Sequence, residues 1–227
     1  PDIGLLTLTE MVDHVHAIRE AVRVPLVVDA DTGYGNAISV RRTVRALERA
    51  GANAIQLEDQ TSPKRCGHFA GKDVIDAAEM VGKIRSALDA RIDDNLMIIA
   101  RTDAAAVHGI SAACDRAQLF LDAGADAAFI EAPRTVEEME QIIRTVPGLH
   151  VANMVEGGLT PVLPLAELAS IGFAMVLYAN TAMRAAIHAM QHVAADLLAN
   201  GDSLSSYADI ADWKERQRLV RRSEFEQ

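Results

Sequence analysis

Aromatic residues are scarce in this chain: one Trp, three Tyr and five Phe make up 4% of its 227 residues. Its interior must therefore be aliphatic, and with half the sequence hydrophobic there is enough to fill one large core. Cysteine is as sparse. Cys66 and Cys114 are the only two, in unlike settings, so there is no disulfide framework and the pattern suits a reducing cytosol. Excess positive charge is also missing. A formal charge of −10 removes the basic face that nucleic acid or an anionic membrane requires, while local cations still admit an anionic small molecule. No apolar run approaches membrane-spanning length and no signal peptide opens the chain, so the expectation is a soluble, cytoplasmic protein with no membrane partner. No P-loop or GxGxxG fingerprint occurs; Gly33 and Gly35 in Asp31-Thr32-Gly33-Tyr34-Gly35 only allow close backbone approach.

What is present has a rhythm. Short β-branched runs recur at Pro25 to Asp31, Ala54 to Asp59, Leu96 to Asp103, Ala127 to Glu131, His150 to Glu156 and Phe173 to Tyr178. Most are continuously apolar, as parallel strands covered on both faces are. Helical spacing lies between them, in Val40-Val44-Leu47, Met80-Ile84-Leu88 and Met139-Ile142-Ile143. Ala-Gly-Ala follows two of these helices, at Gly51 and Gly124, where glycine ends a helix and turns the chain into the next strand. A helix near Leu8 to Val22, capped at Thr7 or Thr9, precedes the first strand. A long helix near Ala179 to Ala199, a break at Asn200-Gly201-Asp202-Ser203 and a charged helix near Tyr207 to Arg221 close the chain. The reading is an α/β fold of repeated βα units. The βα domain is expected to cover residues 1–200, with a helical extension over 201–227.

Nearly every strand ends in an acid: Asp29 and Asp31, Glu58 and Asp59, Asp103, Glu131, Glu156. The carboxyl ends of parallel strands share one rim, where ligands bind. Crowding carboxylates there is costly without a cation, and a hard divalent ion such as Mg²⁺ takes oxygen ligands. The competing role is capping of the helices that follow. Asp29 and Asp31 lie two apart, on one side of a strand, and favour metal. Arg101 and Asn153 share the rim, Arg101 with a fork of donors suited to a carboxylate. Past the second strand comes Lys64-Arg65-Cys66-Gly67-His68. A thiol set among cations and a histidine on a glycine-containing loop is where a thiolate would be favoured, whereas Cys114 sits in an apolar run.

These residues carry a resemblance. Val27-Val28-Asp29-Ala30-Asp31-Thr32-Gly33-Tyr34-Gly35, Leu57-Glu58-Asp59-Gln60, Pro63-Lys64-Arg65-Cys66-Gly67-His68 and Ala100-Arg101-Thr102-Asp103-Ala104 resemble, in order and over essentially the whole chain, the isocitrate lyase and phosphoenolpyruvate mutase superfamily. The resemblance implies a (β/α)₈ TIM-type barrel with a metal at the strand ends, Mg²⁺ or alternatively Mn²⁺. It also implies a homotetramer, a dimer of dimers, whose C-terminal helix is exchanged between subunits. By that resemblance Asp29, Asp31 and Glu58 hold the metal and Cys66 is the proton donor, with Lys64 and His68 beside it. Arg101 acts on the substrate, and Gly67, Glu131, Asn153 and Glu156 line it. Two features depart from the family. About six strands are readable where a barrel has eight, so the first two are expected to be missing and the open barrel poorly soluble. Leu177-Tyr178-Ala179-Asn180 stands where relatives more often carry Tyr-Pro.

Such a site predicts a carbon–carbon lyase. It would cleave a 2-hydroxy di- or tricarboxylate, of 2-alkylmalate or methylisocitrate type, into a 2-oxo acid and a second carboxylate. The run Asn153-Met154-Val155-Glu156-Gly157-Gly158 resembles alkylmalate lyases and carboxyphosphonoenolpyruvate mutases more than methylisocitrate lyases. A phosphonomutase is therefore the first alternative, and an oxaloacetate hydrolase or decarboxylase the second. A non-catalytic paralogue is the third, against which the joint presence of Asp29, Asp31, Glu58, Cys66 and Arg101 speaks.

Overall fold

The computed structural model describes residues 2–67 and 71–226; His68 lies outside the described residues. Two compact units divide the chain, residues 1–178 and 179–227.

The first unit alternates strands and helices: α1 Leu8–Ala21, β1 Val27–Asp29, α2 Ala37–Arg49, β2 Ala54–Glu58, α3 Ala77–Ala90, β3 Met97–Thr102, then α4 Ala104–His108 and α5 Ile110–Asp122. It continues β4 Ala127–Ile130, α6 Val136–Thr145, β5 Val151–Met154, α7 Leu165–Ile171 and β6 Met175–Tyr178. The named strands pair in parallel and in chain order, β1-β2-β3-β4 and β5-β6, with a parallel Ala128–His150 bridge joining β4 to β5. Sequential parallel order with a helix after each strand is the winding of a βα barrel, here with six strands among the described residues. The expected α/β barrel architecture is thus the observed one.

Side-chain parity sorts the two faces of these strands. Val28, Ile55, Leu57 and Ile98 turn outward onto Val40, Val44 and Leu47 of α2, Met80 and Ile84 of α3, and Phe120 of α5. Ala54, Ile99, Ala127, Phe129 and Val151 form a separate inward cluster. Both faces of β2 are buried throughout, which is why it reads as an unbroken apolar run. The same parity carries Glu58, Arg101, Glu131 and Asn153 inward, at the carboxyl ends, above the Ile99–Phe129 layer.

Capping assigns the acids. Asn36 accepts from the amides of Ile38 and Ser39 at the start of α2, and Thr135 accepts from Glu138 at α6. Asp76 and Asp103 occupy N-cap positions without making a side-chain cap bond. Capping therefore falls to Asn36 and Thr135 rather than to the rim acids on the strands before them. Thr7 caps α1 through a reciprocal box with Glu10. Gly51 and Gly124 take left-handed φ values of 103° and 107° after α2 and α5, as the Ala-Gly-Ala repeats predict.

Some boundaries differ from the sequence reading. Gly109, at φ 85°, ends α4 and starts α5. In the second unit α8 spans Thr181–Asn200, and the expected single tail helix is three short pieces: a 3₁₀ turn at Tyr207–Asp209, α9 Trp213–Leu219 and α10 Arg222–Phe225. Within that unit Asp196 accepts from the hydroxyls of Ser205 and Ser206, and Ile210 lines an apolar groove with Met190, Val193 and Leu197. Among the described residues, no helix is long and apolar enough to cross a membrane.

Candidate active site

The centre of the rim is Arg101, 8% exposed. Its Nε and Nη2 donate to the two oxygens of Asp103 at 2.9 and 3.2 Å. Nε also lies 3.4 Å from Glu58 and Nη2 3.5 Å from Glu131, while the guanidinium stacks 5.1 Å above the Phe129 ring. Burial works against this charge, but Glu131, Asp103 and Glu58 together hold it well above the ordinary arginine range. Asn153 joins by donating its amide to both oxygens of Glu131, at 3.2 and 3.4 Å, and keeps its own Oδ1 buried without a partner.

Glu58 is the unusual acid. It is 1% exposed, and neither carboxylate oxygen has a hydrogen-bond partner. Burial, only partly offset by Arg101, pushes its carboxyl up to about 8. Asp29 and Asp31 stand at the end of β1, where Asp31 takes a left-handed φ of 48° and donates its amide to Asp29 at 3.0 Å. Lys64 Nζ reaches Asp31 at 2.7 Å and also contacts Asp2. Burial opposes its charge as well, yet the bonds from Asp2 and Asp31 leave it raised. Tyr34 sits beside this pair with its hydroxyl buried and unpartnered, and burial next to Asp31 and Asp29 pushes it up to about 12.

The cysteine loop lies over the same centre. A Cβ built on Gly67 would stand 2.6 Å from Arg101 Nη2 and from Cγ and Cδ of Glu131. The side chain of Gln60 pairs with both the amide and the carbonyl of Arg65, at 2.9 and 2.8 Å. Half-buried Cys66, a free thiol, thus sits between Arg65, held by Gln60, and Gly67, seated against Arg101 and Glu131. Glu156 stands in the exposed turn after β5. A cavity of about 440 Å³ opens beside the loop, lined by Asp31, Thr32, Tyr34, Gln60, Lys64 and Lys83. A second, of about 300 Å³, holds Asp29, Asp31 and Lys64.

A family profile described as phosphoenolpyruvate phosphomutase matches residues 1–198. The chain belongs to the PEP mutase family. Among PEP mutase family relatives, 2,3-dimethylmalate lyase of Eubacterium barkeri is 51% identical over 190 residues, covering 84% of this chain. The chain spans 66% of the length of that relative. A solved structure of 2,3-dimethylmalate lyase, described as a PEP mutase/isocitrate lyase superfamily member, superposes with a TM-score of 0.92 at 34% identity. It covers 98% of this chain and 75% of its own. Phosphonopyruvate hydrolase complexed with oxalate and Mg²⁺ superposes with a TM-score of 0.88 at 33% identity, covering 100% and 79%.

Whether this PEP mutase family rim suits a divalent cation can be tested on its own atoms. The orphaned, buried Glu58 oxygens and the crowding of Asp29 and Asp31 fit a hard, oxygen-liganded ion. Among the described residues no three acidic, histidine or cysteine side chains converge as a ready cage, and Lys64 rather than a third carboxylate faces Asp31. The donor chemistry fits; the convergence is partial.

Three functional candidates escape a reading of the sequence. Gln60 clamps the loop. Lys72 donates to the Gly67 carbonyl and reaches Asp103 at 2.9 Å. Asp59, in sequence one more rim acid, spends its oxygens elsewhere. It accepts from the Thr102 hydroxyl at 2.7 Å, the Asp103 amide at 2.9 Å and Arg116 at 2.9 Å. It therefore ties β2 to β3 and α5, and replacing Asp59 by Ala should cost about 3–5 kcal/mol by stranding Arg116, read as a lowered denaturant midpoint.

Proposed function

We propose that this chain carries the catalytic rim of a divalent-metal-dependent carbon–carbon lyase. It cleaves a 2-hydroxy di- or tricarboxylate of the 2-alkylmalate or methylisocitrate type into a 2-oxo acid and a second carboxylate. The observation that carries this reading is the seating of Gly67 against Glu131 and the buried guanidinium of Arg101, directly after Cys66 in the chain. The lyase names of the relatives support the reaction class.

In this reading Asp29, Asp31 and Glu58 hold a Mg²⁺ or Mn²⁺ ion, directly or through water. When bound, the ion would polarise the 2-oxygen of the substrate and favour its oxyanion. The protein's own groups do the rest. Arg101 and Asn153 grip carboxylate oxygens and counter the charge that develops as the bond between C2 and C3 breaks. The 2-hydroxyl proton passes to a rim carboxylate, and the electrons of the broken bond delocalise into the second carboxylate. Cys66 then protonates that carbon, with Lys64 and His68, its near neighbours in sequence, assisting and Glu156 bordering the substrate. Seating of the loop over Arg101 keeps water from that carbon. The tetramer with exchanged C-terminal helices belongs to the same proposal.

Metal binding has a readout apart from turnover. Mg²⁺ at a hundred times its dissociation constant should stabilise the chain by about 2.7 kcal/mol, seen as a raised thermal midpoint. Glu58→Gln should abolish that rise. An equal rise in the variant would remove Glu58 from the metal set. A phosphonate reaction is the competing chemistry, favoured by the phosphonopyruvate hydrolase likeness. Phosphorus NMR for a C–P bond made or broken separates it from 2-oxo acid release.

A further inference from the structure

Lys72 is a rim cation that the reaction does not use, and its position is costly. Its side chain is 2% exposed and that of its partner Asp103 is 0% exposed. Burying an ammonium carries a desolvation penalty of several kcal/mol, which a single shared carboxylate repays poorly. Asp103 is already gripped at both oxygens by the bidentate fork of Arg101, and Lys72 adds a second cation to that acid. What Lys72 adds is its second bond, to the carbonyl of Gly67. That carbonyl belongs to the residue whose Cα rests on Arg101 and Glu131. The other end of the loop is held independently, by Gln60 on Arg65. Cys66 lies between these two anchors.

We propose that Lys72 is a positioning residue that pins the Cys66–Gly67 segment onto the Arg101–Glu131 pair, holding the Gly67 carbonyl and the Asp103 carboxylate on one ammonium. The catalytic meaning of the latch rests on the lyase reading; its existence does not. One ammonium joins Gly67 to the acid that orients the guanidinium, so the seating of Cys66–Gly67 is tied to the aim of Arg101.

The test is alkylation of Cys66 by iodoacetamide in the full chain, with buried Cys114 on α5 as the internal reference. Lys72→Met keeps the length and removes the donor. The Cys66-to-Cys114 rate ratio should rise about tenfold or more, the factor expected when one charge-assisted hydrogen bond no longer opposes local opening. Lys72→Arg should give an intermediate ratio, because it keeps a cation and donors near Asp103. Turnover of a 2-alkylmalate should fall in kcat with little change in KM. An unchanged ratio in folded Lys72→Met overturns the proposal. If Lys72→Met does not fold, Lys72→Arg decides by the same criterion, with a wild-type ratio overturning it. If Cys66→Ser keeps full turnover, the lyase role of the thiol fails while the alkylation ratio still decides the latch.

Discussion

Cys66→Ser is expected to lower turnover of a 2-alkylmalate about 10³-fold, within the range that a positioned general acid contributes. Serine preserves the size of the side chain at a half-buried loop position but is a far weaker acid. The loop anchors are untouched, because Gln60 binds the Arg65 backbone and Lys72 the Gly67 carbonyl. The thermal midpoint should therefore match the wild type. Binding of oxalate, a compact analogue of a 2-oxo acid, should persist in calorimetry, because Arg101, Asn153 and the rim acids remain. Lost turnover with kept binding assigns the thiol to proton transfer. Full turnover in the variant would hand that role to another group.

Gly67→Ala should be nearly as damaging, by a different route. Gly67 is absent from the positive-φ residues, so alanine meets no backbone penalty there. The penalty is contact: the new methyl would stand 2.6 Å from Arg101 Nη2 and from the Glu131 side chain. Both neighbours are buried and tied, Arg101 to Asp103 and Glu131 to Asn153, so neither yields cheaply. Either the loop lifts or the guanidinium swings, and a displacement of about 1 Å at a reacting centre costs on the order of 100-fold in rate. Gly82→Ala is the matched control. It lies on α3 with nothing within 4 Å of the added methyl, so it should leave kcat unchanged and gain roughly 0.5–1 kcal/mol of stability. Equal kinetic behaviour of the two variants would deny that the loop presses on the rim.

The barrel winding was legible because parallel strands buried on both faces leave a plain trace, as Ala54–Glu58 does. The rim was legible because acids recur at strand ends and because Arg101 interrupts an apolar run. Individual roles were harder to read. Asp59 adjoins Glu58 in sequence, yet strand parity turns the two carboxylates to opposite faces. One faces Arg101; the other fastens Thr102 and Arg116. Lys72 carries no signal in the sequence, since nothing in its neighbours announces a partner 31 residues away in Asp103. Gln60 likewise gains meaning only when the chain doubles back to place Arg65 against it. Pairs remote in sequence leave no local periodicity, so the anchors of the loop appear only in three dimensions.

One experiment addresses the centre of the account, that thiol, guanidinium and acidic tips serve one cleavage reaction. The chain is incubated with a 2-alkylmalate and Mg²⁺ in D₂O, and both products are followed by proton NMR. The account predicts one 2-oxo acid per second carboxylate, the latter carrying one deuterium at the carbon released from the bond, with both signals lost in Cys66→Ser. Formation of a C–P bond from a phosphoenolpyruvate under the same conditions, without oxo acid from the malate, would contradict it.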